Sequence, residues 1–266
     1  MLRLSARKVL VVVGIFCIFS VYYKYIPKGH AKVYDNFQRP FLANSNDSQR
    51  FFTWRNENAC KSKKSFGGKF YFKNYFDGNK TLCLDNDVMP DPNGKCLIYS
   101  FGVNKDWSFE EAMQAYGCKV LAFDPSIGKK PFKYSDKIHF YDFGLGKVDD
   151  LSDPGGWKLR TLGTLLDKFG HTNKIIDVLK IDIEGAEYEA LLEMLESGVL
   201  MNVKQIAMEV HNRYDDYYGA FWLLEQSFER FESLPNFACT DKNGTVTSHY
   251  CLELSWFNKR FRKNNI

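Results

Sequence analysis

Two pairs of polar residues stand two positions apart at the ends of apolar runs, Asp182 with Glu184 and Glu209 with His211. Residues two apart in a strand share a face, so each pair can present two functional groups to one crevice. Carboxylates and an imidazole placed in this way can take a proton from a hydroxyl, and general-base catalysis contributes roughly 10²–10⁴-fold in rate. The same oxygens and imidazole could ligate a divalent cation, or act only as strand-end caps and ion pairs. Upstream, Gly102 follows the run CLIYSF, and Asp124 closes the run KVLAF about 20 residues past that glycine. A glycine turn lets the backbone approach a ligand, and an acidic residue ending the second strand can take both hydroxyls of a ribose. Taken alone, the pair equally describes a tight turn and an aspartate capping the turn before Pro125. His139, His171 and His249 have no comparable setting and are expected at the surface or in packing.

Residues of this kind are positioned by an open α/β sheet, whose ligands sit beyond the carboxyl ends of the strands. The pattern after the Asp91-Pro-Asn-Gly94 turn cluster supplies one. Strands are expected over 96–101, 119–123, 137–141, 175–183 and 203–210, with helices over 107–116, 161–169, 186–196 and 217–230. The runs 231–239 and 249–257 flank a turn-rich segment and read as an antiparallel hairpin. The expected class is α/β, a mostly parallel sheet with a C-terminal antiparallel hairpin, over residues 93–258. Residues 27–92 are polar and aromatic at no clear period and read as a stem and small N-terminal cap, and 259–266 as a basic tail.

The apolar run Val9–Val21 follows Arg3, Arg7 and Lys8 and leads into Tyr22, Tyr23 and Tyr25. Extended to Ile26 it reaches about 18 residues, near the lower limit for a bilayer span. Bulky residues stand where a signal-peptide cleavage site needs small ones, so a retained transmembrane signal anchor over 9–26 is expected behind a cytosolic tail over 1–8. Outside this run lie six cysteines, Cys60, Cys83, Cys96, Cys118, Cys239 and Cys251, an even number that fits disulfides in an oxidising compartment. Asn46, Asn79 and Asn243 open glycosylation acceptor patterns. Together these predict a single-pass type II membrane protein of the endoplasmic reticulum or Golgi, with a secreted form as the alternative. Cys96 and Cys118 open neighbouring strands and Cys239 and Cys251 face across the hairpin, which leaves Cys60 with Cys83; sequence order leaves other pairings open. A net charge of +4 from 36 basic and 32 acidic residues, with no basic stripe, argues against a nucleic-acid partner.

Leu179-Lys-Ile-Asp-Ile-Glu-Gly-Ala-Glu187 resembles the signature of FkbM-type O-methyltransferases. Ile98-Tyr-Ser-Phe-Gly-Val-Asn-Lys-Asp-Trp-Ser108, with Phe123-Asp-Pro125, is more similar still to animal methyltransferase-like proteins that carry an N-terminal membrane anchor. The resemblance spans Cys96 to His211. It implies a Rossmann-like class I methyltransferase sheet and S-adenosylmethionine as cofactor, with Gly102, Asn104 and Asp124 near it and Ser100 at the adjoining strand end. It further implies methyl transfer to a hydroxyl, a glycan or other small acceptor, with Asp182, Glu184, Glu209 and His211 as candidate catalytic or substrate-positioning groups. Three positions depart from the family pattern: Ser100 where an acidic residue is common, Asp106 where a second glycine is common, and Gly163 where an aspartate is usual. They motivate a second reading, a non-catalytic binding protein that keeps the fold. A third, an NAD-dependent oxidoreductase, shares the glycine turn and Asp124 but lacks the G-x-G-x-x-G fingerprint.

Overall fold

Alternate residues of the expected strands go to opposite faces of one sheet, and that alternation builds the core. In a computed structural model, which describes residues 51–70, 76–91, 93–152, 155–211, 214–237, 239 and 251–263, Leu97, Tyr99 and Phe101 join one apolar cluster and Ile98 another. Leu121 and Phe123 part from Val120 and Ala122 in the same way. Both faces are covered, as a parallel sheet requires.

The hairpin of β1 (Lys63–Phe66) and β4 (Lys80–Cys83) encloses the two-residue strands β2 (Lys69–Phe70) and β3 (Phe76–Asp77). Then follow β5 (Leu97–Phe101), α1 (Ser108–Tyr116), β6 (Lys119–Phe123), β7 (Phe132–Lys133) and β8 (Ile138–Tyr141). A small parallel pair, β9 (Phe143–Leu145) and β10 (Lys158–Arg160), leads to α2 (Leu162–Lys168), β11 (Ile176–Ile181), α3 (Glu187–Ser197) and β12 (Val203–His211). The chain continues through α4 (Tyr214–Ser227), β13 (Phe228–Pro235) and β14 (Cys251–Asn258). The main sheet has eight strands in the order β13-β14-β12-β11-β5-β6-β8-β7. Its centre, β12 to β8, is parallel; β13, β14 and β7 are antiparallel. This is the Rossmann-like sheet expected from the sequence. Because β5 feeds outward to β6 and β11 outward to β12, strand order reverses between β5 and β11, and a ligand crevice belongs above that junction.

One expectation needed correction. The helix expected to reach Arg230 stops at Ser227, and Phe228 opens β13 instead. Arg230 is wholly buried: it donates to Glu225 Oε1 at 2.6 Å and to the carbonyl oxygens of Phe51, Phe52 and Trp54. A buried guanidinium is stable only when its donors are met, and the extended backbone at Arg230 lets it meet them. Gln205 of β12 accepts from the Cys83 N–H at 2.8 Å and donates to the carbonyls of Cys83 and Val88, pinning the cap hairpin to the sheet. The expected anchor over 9–26 and the acceptor patterns at Asn46 and Asn243 lie outside the described residues, among which no helix is long and apolar enough to cross a membrane.

The disulfides are Cys60–Cys83, Cys96–Cys118 and Cys239–Cys251. The second joins the starts of β5 and β6 across a sequence separation of 22. Replacing both of its cysteines by alanine is expected to cost about 2–4 kcal/mol of stability, read from urea unfolding of the two proteins side by side. An unchanged midpoint would show the pair to be unlinked in the native protein.

Candidate functional site

The turn after β5 is built on glycine out of necessity. Gly102 has φ +78°, and a Cβ there would fall 1.6 Å from the carbonyl oxygen of Asp182, so the loops after β5 and β11 touch backbone to backbone. Asn104 is also left-handed, at φ 48°. Its N–H donates to Asp124 Oδ2 at 2.6 Å, while Ser126 donates to Oδ1 through both its N–H and its hydroxyl. Asp124 therefore holds three of the roughly four hydrogen bonds a carboxylate accepts, and taking both hydroxyls of a ribose would require Ser126 to let go. Ser100 is fully buried and its hydroxyl donates to Glu110 Oε1 of α1 at 2.5 Å, which places it beneath the turn rather than in the crevice.

Across the junction, the structure brings Asp182, Glu184, Glu209 and His211 together. Glu209 and His211 share a face of β12, with Glu209 Oε1 3.7 Å from His211 Nε2. Asp182 and Glu184 do not alternate as a strand would, because β11 ends at Ile181 and Glu184 is left-handed at φ 57°. Glu184 still reaches His211, with Oε2 3.5 Å from Nε2, although its side chain is mostly exposed. Behind the imidazole stands a residue that the sequence showed only as part of a motif. Glu187, fully buried in the first turn of α3, accepts from the N–H groups of Ile183 and Gly185 and lies 3.0 Å from His211 Nδ1. A carboxylate only accepts, so the Nδ1 that faces Glu187 carries a proton, and in the neutral ring Nε2 is left as the nitrogen that can accept one. Burial works against charging His211, but the hydrogen bond and charge of Glu187, helped by Asp182 and Glu184, outweigh it and raise its pKa.

Lys80 was missed altogether. Carried in by β4 and 1% exposed, its ammonium lies 2.7 Å from Glu253 Oε1, 3.4 Å from Glu209 Oε2 and 3.6 Å from Asp182 Oδ2. Glu253 is the cross-strand partner of Glu209. Burial opposes the ammonium, yet Glu253, Asp182 and Glu209 together hold its pKa well above the usual lysine value. The carboxylates divide accordingly. Burial pushes Glu209 well up, reinforced by Glu253 and Asp182. Burial also acts to raise Asp182, but Lys180, Lys80 and His211 prevail and its pKa is lowered. Environments that push neighbouring carboxylates apart are those in which one stays ionised and another can carry a proton.

Asp182, Glu184 and His211 offer ligand atoms within 4.8 Å of one another, a possible cation set. Two ammonium groups already neutralise Asp182 there, and Cys239 and Cys251, beside Glu209 and His211, are disulfide-bonded and have no thiolate to give. Among the other histidines, His171 is buried with Nδ1 2.9 Å from the Tyr99 hydroxyl, a packing role, and His249 lies outside the described residues.

The sequence profile of a methyltransferase-domain family matches residues 24–258. The chain is 28% identical over 207 residues to probable methyltransferase-like protein 24 of Homo sapiens, covering 68% of this chain and 56% of that one. It is 28% identical over 190 residues to the Rattus norvegicus protein of the same name, covering 63% and 52%. The chain thus spans about half the length of these relatives. Among solved structures, it aligns with a putative tRNA methyltransferase of Streptococcus pneumoniae in complex with S-adenosylmethionine at TM-score 0.38 and 15% identity, over 65% of this chain and 68% of that one. A putative methyltransferase from Streptococcus mutans in complex with SAH aligns at TM-score 0.35 and 10% identity, over 65% and 90%.

Proposed function

The chain belongs to the methyltransferase-domain family, and from that premise we propose that it transfers a methyl group from S-adenosylmethionine to a hydroxyl oxygen, with His211 as the base. The observation that carries the reading is the Glu187–His211 pair, 3.0 Å apart at the carboxyl ends of the strands beside the Gly102–Asp182 contact. The donor set fits the cofactor. Asp124 keeps an acceptor position for a ribose hydroxyl beside the Gly102 turn, and around the crevice the carboxylates of Asp182, Glu184, Glu187 and Glu253 outnumber the ammonium groups of Lys80 and Lys180, which suits a sulfonium cation. Bound there, the cofactor would supply the activated methyl group. His211 Nε2 takes the acceptor's proton, Glu187 holds the ring in the required tautomer and balances the imidazolium, and Asp182 stays ionised.

The acceptor we infer is a glycan or similar small polyol, in an oxidising lumen reached through an N-terminal anchor. Three disulfides and the apolar run Val9–Val21 support that setting. Family membership decides against the oxidoreductase reading. The non-catalytic reading is favoured by one observation, the three internal hydrogen bonds already held by Asp124. Calorimetric titration of S-adenosylmethionine into the oxidised full chain, with Asp124→Ala as control, separates the two. Saturable binding lost in the control supports the methyltransferase and opens a screen of glycan acceptors by methyl transfer. No binding by the folded chain leaves the non-catalytic relative.

A further inference from the structure

Lys180 stands where the cofactor turn and the acid–base cluster meet. It lies in β11 directly opposite Ser100 of β5 and is 4% exposed. Its ammonium donates to the carbonyl oxygen of Gly102 and is 3.5 Å from Asp182 Oδ2. It therefore touches both loops that the Gly102–Asp182 contact brings together. Behind it, Glu110 of α1 is fully buried, with Oε1 on the Ser100 hydroxyl and Oε2 lacking a hydrogen-bond partner. A half-satisfied buried carboxylate is costly unless an opposite charge offsets it. Burial raises its pKa, and Lys180 is the largest influence holding it down.

We propose that Lys180 is a positioning residue: its buried ammonium, backed by Glu110, locks the Gly102 turn to the Asp182 loop, so that one charge sets cofactor turn and acid–base cluster in a single geometry. The proposal rests on the reading of the Gly102 turn as the S-adenosylmethionine site. Methyl transfer demands that donor and acceptor be held in line, and misplacement by about 1 Å can cost roughly 10²-fold. From Asp182 the row of alternating charges runs on to Lys80, Glu209 and Glu253, so an error at the turn reaches the groups around His211.

The test is titration of S-adenosylmethionine into full-length Lys180→Met and Lys180→Arg, each checked for folding by circular dichroism. Lys180→Met is expected to bind about 10-fold more weakly or worse, because a turn that is no longer held in the binding geometry is competent only about one tenth of the time. Lys180→Arg should recover most of the affinity, because a guanidinium can also span a carbonyl and a carboxylate. Wild-type affinity in Lys180→Met, or an equal loss in both variants, overturns the proposal. Should Lys180→Met fail to fold, Glu110→Gln decides, since it keeps the shape and removes the countercharge: weaker binding supports the lock and unchanged binding overturns it. Absence of binding by the wild-type chain would overturn the methyltransferase reading itself, and this inference with it.

Discussion

His211→Ala is expected to lower kcat/KM by roughly 10²–10⁴-fold, the range for removal of a general base, while S-adenosylmethionine still binds with near wild-type affinity. The separation follows from the geometry, because the imidazole ends β12 and the Gly102 turn proposed for the cofactor follows β5. The pH dependence gives a second, sharper reading. Only neutral His211 accepts a proton, so the rate falls as pH drops through its pKa. Burial disfavours the imidazolium, but Glu187 and its neighbours win and raise that pKa, so the acid limb should lie above the ordinary histidine value of about 6.5. In Glu187→Gln the largest opposing influence is gone. The limb should move to lower pH, and the plateau should fall because an amide no longer fixes the tautomer. A limb that stays in place in Glu187→Gln would sink the dyad, whatever the fate of His211→Ala.

How much of this was legible in the sequence depended on distance along the chain. The β-strands around the junction could be read because the alternation of Leu97, Tyr99 and Phe101 against Ile98 is local, and so was the pairing of Glu209 with His211, fixed by a two-residue period. The same period misled at Asp182 and Glu184, where the chain leaves the strand and turns left-handed before the second residue. Glu187 gave a faint signal, an acidic residue in the first turn of a helix after a glycine, but nothing local said that it would also face His211 from 24 residues away. Lys80 had no signal, because it sits in an irregular cap and becomes a site residue only when β4 lies across β12 and β14. The departure at Ser100 looked like a missing carboxylate, and the fold brings one to the same spot from Glu110.

That hidden lysine carries the largest expected effect on stability. Lys80→Met should cost about 3–5 kcal/mol near neutral pH, the usual result of removing one partner from a buried ion cluster, because Asp182, Glu209 and Glu253 are left facing one another. In the wild-type protein Asp182 is lowered, so its contribution is present above its unfolded pKa and is lost as pH falls through the folded one. Glu209 is raised, so its protonated form is the stabilising one and that contribution fades as pH rises. Without the ammonium the carboxylates shift upward together, and proton uptake relieves their repulsion in acid. The penalty should therefore be smaller at pH of about 5 than at about 8. Urea unfolding of both proteins at the two pH values checks this, and an equal penalty at both would mean that Lys80 stabilises by packing its stem rather than by holding the carboxylates. If the charge is what matters, the cap hairpin is part of the acid–base cluster proposed for the site. The protonation states of Asp182 and Glu209 are then influenced by a residue on β4, which the Gln205 amide and the Cys60–Cys83 bridge help to fasten in place.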